Sequence, residues 1–189
     1  MKLYVIRHGQ SETNLKGCFT GWAQVNLTEQ GIRDAQSIRP LLKNISFDKI
    51  YASDLRRAMK TAEEAIPGCC YETTPLLREV GMGSLELQPR ESVLPDMRKN
   101  NTSELGYAMY GGESREVFDQ RVADFRKMVE TLEYENVAVF THWGWMMELT
   151  TQVLEVKIPG NNITGNNCVV GVFEYKNNHW KLHSWINMQ

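Results

Sequence analysis

The chain has 189 residues, 42% of them apolar and 23% charged, with a formal net charge of −2. That balance excludes disorder or a collagen-like state, and the charge argues against a general nucleic-acid or anionic-membrane surface. The length suits a single domain over residues 1–189 whose core needs no staples.

Met1 leads at once into Leu3-Tyr4-Val5-Ile6, which is too short for a secretory leader and reads as a buried parallel strand ending at Arg7-His8-Gly9. Thr28 suits an N-cap, Glu29 suits the first helical turn, and Ile32, Ala35, Ile38 and Leu42 keep helical spacing until Pro40 kinks or ends the helix. Lys49-Ile50-Tyr51-Ala52 is a second strand. Ser53 or Asp54 is expected to cap the next helix, which carries Leu55, Ala58, Met59, Ala62 and Ala65 and stops at Pro67-Gly68. Residues 69–72 read as a third strand.

Between residues 80 and 112 the periodicity fails. Gly81, Gly83, Pro89 and Pro95 break it, so this stretch reads as a lid insertion with one short helix. Ser114 restarts regularity, and Val117, Phe118, Val122, Phe125, Val129 and Leu132 mark a long amphipathic helix. Val137-Ala138-Val139-Phe140 is a strand ending at Thr141-His142, and residues 145–153 look helical. Residues 168–175 and 180–185 form a hairpin turning at Lys176-Asn177-Asn178. The alternation predicts a three-layer α/β/α sandwich around a mostly parallel sheet.

Four cysteines, Cys18, Cys69, Cys70 and Cys168, contain no C-x-x-C spacing and read as small apolar fillers in a reducing compartment. With no apolar run of about 18 residues to cross a membrane, the expected location is the cytoplasm. The sequons at Asn26, Asn44, Asn101 and Asn162 then carry little meaning.

Ligands of parallel α/β sheets sit beyond the carboxyl ends of the strands. Three such ends carry Arg7-His8-Gly9, Ser53-Asp54-Leu55-Arg56-Arg57 and Thr141-His142. A lone histidine at a strand end is ordinarily structural, but here two imidazoles and several guanidiniums are expected in one crevice. Arg56 and Arg57 also fall in a first helical turn, where the dipole disfavours cations and an anion would relieve the conflict. The serine-hydrolase elbow, the H-E-x-x-H zinc motif, the P-loop and the dinucleotide fingerprint are all absent from the sequence, so a phosphate site is the favoured reading.

Arg7-His8-Gly9-Gln10-Ser11-Glu12-Thr13-Asn14 resembles the signature of the histidine phosphatase superfamily, the phosphoglycerate mutase-like proteins. Phe19-Thr20-Gly21-Trp22, Leu27-Thr28-Glu29-Gln30-Gly31, Ser53-Asp54-Leu55-Arg56-Arg57-Ala58, Leu77-Arg78-Glu79, Gly111-Gly112-Glu113-Ser114 with Arg121 beyond, and His142 are similar to its further markers, in order. The resemblance implies that His8 is a nucleophile forming a phosphohistidine, and that Arg7, Arg57 and His142 clamp the phosphoryl oxygens without a metal or other cofactor. It further implies that Glu79 is the general acid and base, and that Asn14, Thr20, Gly21 and Trp143 belong to the phosphate or substrate contacts. The expected partner is a small phosphorylated metabolite; no nucleic acid or membrane is expected, and a homodimer is left open.

Trp143 stands where the family usually has a small residue, and is expected to narrow the site or displace a backbone donor. Gln24 and Asn26 replace the usual Asp and Pro. The short span between Glu79 and Gly111 lacks the mutases' longer insertion, which favours water as acceptor and hence a phosphatase over a mutase. Arg90, Arg98, Lys99, Tyr107, Met109 and Tyr110 are expected to set specificity, the cations pointing to a second anionic group. A third reading, a catalytically weak binding protein, requires an exposed apolar patch around Trp22, Trp143 and Trp145.

Overall fold

Short apolar runs rich in valine and isoleucine pair into one sheet at the centre of the chain. A computed structural model describes residues 1–156 and 163–187. The strands are β1 (Lys2–Arg7), β2 (Lys49–Ser53), β3 (Glu72–Thr74), β4 (Asn136–Thr141), β5 (Val170–Lys176) and β6 (His179–Ile186), in the order β3-β2-β4-β1-β5-β6. β3, β2, β4 and β1 run parallel, whereas β5 and β6 add an antiparallel edge. The expectation of a mostly parallel sheet therefore describes the β3-to-β1 half, and the hairpin makes the whole sheet mixed.

The helices are α1 (Glu12–Leu15), α2 (Glu29–Ser37), α3 (Arg39–Leu42), α4 (Arg56–Ala65), α5 (Arg90–Lys99), α6 (Thr102–Leu105), α7 (Arg115–Glu130) and α8 (Trp143–Leu154). On one face of the sheet, Leu3, Val5, Val137 and Val139 pack with Phe118, Val122 and Phe125 of α7 and Trp145 and Leu149 of α8. On the other, Ile6, Ala52, Ala138 and Phe140 pack with Ala35, Ile38 and Leu42 and with Ala62 and Ala65 of α4. Alternate residues of β1 thus feed opposite cores, which is what a central strand's period of two requires.

Several local rules hold. Thr28 and Ser114 cap α2 and α7, their side chains accepting from Gly31 N and Val117 N. α2 ends before Pro40, which sits in the first turn of α3. The β5–β6 hairpin turns through Asn177 and Asn178, both at positive φ (54° and 57°), the geometry that matches strand twist.

Other expectations need correction. The third strand lies at Glu72–Thr74 rather than residues 69–72. Neither Ser53 nor Asp54 is the N-cap of α4: Leu55 holds that position without a side-chain cap, and the exposed Gln24 accepts from Arg56 N at 3.0 Å instead. Residues 80–112 are more helical than expected, because α5 accommodates Pro95 inside it and α6 follows directly. The four cysteines are free, but Cys70 is exposed rather than a core filler. Asn162 lies outside the described residues. Among the described residues, no helix is long and apolar enough to cross a membrane.

Candidate active site

The parallel register places Arg7 of β1 opposite Thr141 of β4, so His8 and His142 leave adjacent strands side by side. Their ring centroids are 5.2 Å apart. β2, on the other side of β4, ends at Ser53, whose Oγ lies 2.9 Å from His142 Nε2. Leu55 N donates to the same Ser53 Oγ at 3.3 Å. With the Ser53 proton directed at Nε2, His142 carries its own proton on Nδ1, and that buried nitrogen has no partner.

His8 is buried. Its Nδ1 lies 2.7 Å from the Gly9 carbonyl, which can only accept, so Nδ1 bears the proton and Nε2 the lone pair. Arg57 Nε donates to that Nε2 at 3.3 Å. Burial, then the positive charges of Arg57 and Arg7, hold the His8 pKa well below the ordinary imidazole value. Burial, with Arg57 next, does the same to His142. Both rings are therefore neutral at neutral pH.

Arg57 is 1% exposed, whereas Arg56 beside it faces solvent. The helical turn that opens α4 carries the Arg57 side chain inward, where Nη1 donates to Ala23 O at 3.1 Å and Nη2 to Gly21 O at 2.9 Å. Burial lowers its pKa to about 10, which still leaves it cationic. Arg7 donates through Nη1 to Gly165 O and stands 5.7 Å from the centre of the Trp143 ring. Its buried Nε is unpartnered. An oxyanion held beside His8 would satisfy both Arg7 Nε and His142 Nδ1; orphaned buried donors call for such a partner.

Glu79 follows the short turn after β3. Its Oε1 accepts from Val80 N at 3.0 Å and its Oε2 from Gly144 N at 3.1 Å in the first turn of α8. The backbone carbonyl of Glu79 is gripped by Trp22 Nε1 at 2.7 Å and by Arg121 Nη2 at 3.0 Å. Arg121 also donates to Leu76 O and Arg78 O and pairs with the buried Glu113 carboxylate at 2.7 Å. Glu113 in turn accepts from Gly81 N at 2.8 Å. This clasp fixes the loop that carries Glu79.

The remaining expected residues are placed as follows. Asn14 Oδ1 accepts from Ser11 N at 3.1 Å within a capping box and faces Asn167 Nδ2 at 3.4 Å, which leaves its NH2 group as the donor end. Thr20 Oγ1 is 2.6 Å from Thr13 Oγ1, and the Gly21 carbonyl serves Arg57. The Trp143 ring lies against Arg7, Gly165 and Trp185. The sequence suggests no role for Asn167 or Gly165, and offers Ser53 only as a helix cap, not as the partner of His142. It offers Glu113 and Arg121 only as family markers, and Trp22 as a marker and a member of an apolar patch; the wide spacing between Glu79 and Arg121 hides their contact.

Beyond Glu79 lies a cavity of about 620 Å³ bordered by Val80, Tyr107, Trp143, Gly144 and residues of α6, α7 and α8. Of the six expected specificity residues, only Tyr107 lines it. Arg98, Lys99 and Met109 are exposed, Tyr110 bonds Asp96 at 2.5 Å, and Arg90 lies 5.3 Å over the Phe19 ring. The three tryptophans named by the binding-protein reading do not share one surface patch: Trp145 is 0% exposed in the core, whereas Trp22 is exposed and donates through Nε1 to the Glu79 carbonyl.

The model of the histidine phosphatase superfamily (branch 1) matches residues 3–188, and the chain belongs to that family. It is 29% identical over 164 residues to an adenosylcobalamin/alpha-ribazole phosphatase of Escherichia coli, covering 82% of this chain and 79% of that one. The crystal structure of the alpha-ribazole phosphatase from Shigella flexneri superposes with a TM-score of 0.82 at 25% identity, over 97% of this chain and 95% of that one. A shorter likeness, 55% over 69 residues, links it to a 2,3-bisphosphoglycerate-dependent phosphoglycerate mutase of Latilactobacillus sakei, covering 35% of this chain and 30% of that one.

Proposed function

We propose that the protein is a phosphomonoesterase that hydrolyses a small phosphorylated metabolite through a phosphohistidine on His8. The observation that carries this reading is the neutral His8, with its lone pair on Nε2, set among Arg7, Arg57 and His142. When the phosphoryl group enters, Arg57 Nε exchanges Nε2 for a phosphoryl oxygen, which frees the nucleophile. Nε2 attacks phosphorus, the N–P bond forms, the ester P–O bond breaks, and the leaving oxygen takes a proton from Glu79. Water then attacks the phosphohistidine while Glu79 recovers a proton from it, releasing phosphate and restoring neutral His8. Arg7, Arg57, His142 Nδ1–H and the Asn14 amide stabilise the charge that develops on the equatorial oxygens. Thr20 and Gly21 act by holding the loop that orients Arg57.

The alpha-ribazole phosphatases, similar over most of the chain, make alpha-ribazole 5′-phosphate the first substrate to test. Phosphate release should be followed with EDTA present, in wild type and His8→Ala, together with trapping of base-stable, acid-labile phosphate on His8. Release that depends on His8 is the expected result. A folded wild type that releases nothing from a panel of phosphomonoesters would sink the proposal. The local likeness to a mutase supports a second reading, which predicts phosphate moved within phosphoglycerates rather than released.

A further inference from the structure

Glu79 marks the side of the site on which the leaving alcohol must lie, because it protonates the leaving oxygen. Its carboxylate is held by Val80 N and Gly144 N, and both of those residues border the 620 Å³ cavity. A volume of that size suits a small-molecule site. Its walls are apolar and aromatic: Val80, Tyr107, Phe118, Trp143 and Met147. Its charged lining consists of Glu104, Glu148 and Arg115. Arg115 is already engaged by Glu148 and, at 2.7 Å, by Asp119. A carboxylate entering the cavity would meet the Glu104 side chain and an Arg115 whose charge Glu148 and Asp119 already answer. Arg98 and Lys99, the cations that a second anion would need, face solvent on α5 and do not line the cavity.

Resting on the phosphatase reading, we infer that this cavity is the leaving-group pocket and that it selects a flat, uncharged alcohol over a carboxylate-bearing one, with Trp143 and Met147 as walls and Arg115, the cation of its lining, already held by Glu148 and Asp119. Trp143 then has two duties, since the same ring faces Arg7. The residue that departs from the family pattern is a specificity residue, and it does not obstruct the phosphoryl site.

The test is kcat/KM for three esters: ethyl phosphate, whose leaving group is too small to fill the cavity; 2-(naphthyl)ethyl phosphate; and 3-phosphoglycerate. The naphthyl ester should exceed 3-phosphoglycerate by about 100-fold or more, the scale on which buried unpaired charge is rejected. Met147→Trp, which fills the cavity, should lower the ratio of naphthyl ester to ethyl phosphate about tenfold, and Val80→Phe does the same from the opposite wall if Met147→Trp does not fold. Glu104→Lys, on an exposed side chain, should raise kcat/KM for 3-phosphoglycerate about threefold or more. Equal use of the naphthyl ester and 3-phosphoglycerate, or an unchanged ratio in a folded filling variant, overturns the inference. Failure of the phosphatase reading looks different: none of the three esters is then turned over, or turnover survives His8→Ala.

Discussion

At the scale of single residues, the site works by withholding water from groups that want it. His8 and His142 are buried beside two guanidiniums, so both stay neutral, and His8, in its proposed role as nucleophile, needs no base to strip a proton from Nε2. His8→Ala should therefore cost about 10⁴-fold or more in phosphate release with folding intact, as loss of a covalent nucleophile does elsewhere. Arg57→Lys is a sharper test. A lysine keeps the charge but cannot serve Gly21 O, Ala23 O and His8 together, so kcat/KM should fall about 100-fold; a loss under threefold would show that charge alone suffices. The sequence made the histidines, Arg7 and Arg57 legible because each sits at a strand end or in a first helical turn, where direction is dictated locally. It did not reveal Ser53 as the partner of His142, since that contact joins β2 to β4 across a register no local pattern encodes.

At the scale of elements, α4 lacks a side-chain cap of its own and uses Gln24 from the preceding loop. Gln24→Ala should cost about 1 kcal/mol, the usual value of a helix cap, measured by urea unfolding; no change would mean that the contact is idle. The Glu113–Arg121 clasp has the larger stake. Both side chains are largely buried and Arg121 spans three carbonyls of the Glu79 loop. Arg121→Met leaves the Glu113 carboxylate unpaired, which should cost about 3 kcal/mol of stability, and kcat should fall more than KM changes as the acid loses its position. Helices with caps and long periodic faces, such as α7, were legible from sequence. The 80–112 segment was not, because prolines and glycines erase its period while tertiary contacts still fold it into α5 and α6.

At the scale of the whole molecule, three parallel strands deliver their carboxyl ends to one crevice between two apolar cores, and the antiparallel hairpin closes one edge of the sheet. The alternation of strands and helices announced the layered sandwich. The hairpin's place beside β1 was not announced, because periodicity says nothing of strand order. Burying two neutral histidines also ties global stability to pH. Below about 6.5 the unfolded chain takes up protons at both positions that the native state refuses. Stability should thus fall as pH drops from 7 to 5, by up to about 1.4 kcal/mol per pH unit for each histidine. Urea midpoints at pH 7, 6 and 5 read this, and His142→Gln should flatten the slope; an equal slope in the variant would refute the account.

The loop after His8 and the first turn of α2 meet backbone to backbone. A Cβ on Gly9 would lie 2.2 Å from the Gly31 carbonyl oxygen, and one on Gly31 would lie 2.0 Å from the Gln10 carbonyl oxygen. Each clash is with main chain, which no side-chain change can trim. In a saturation library selected for phosphatase activity, positions 9 and 31 should return glycine alone, and no second-site suppressor should arise at Gly31 or Gln10, because what each new Cβ meets there is main chain. The loop that carries His8 is thereby locked in evolutionary time by a contact containing no side chain at all.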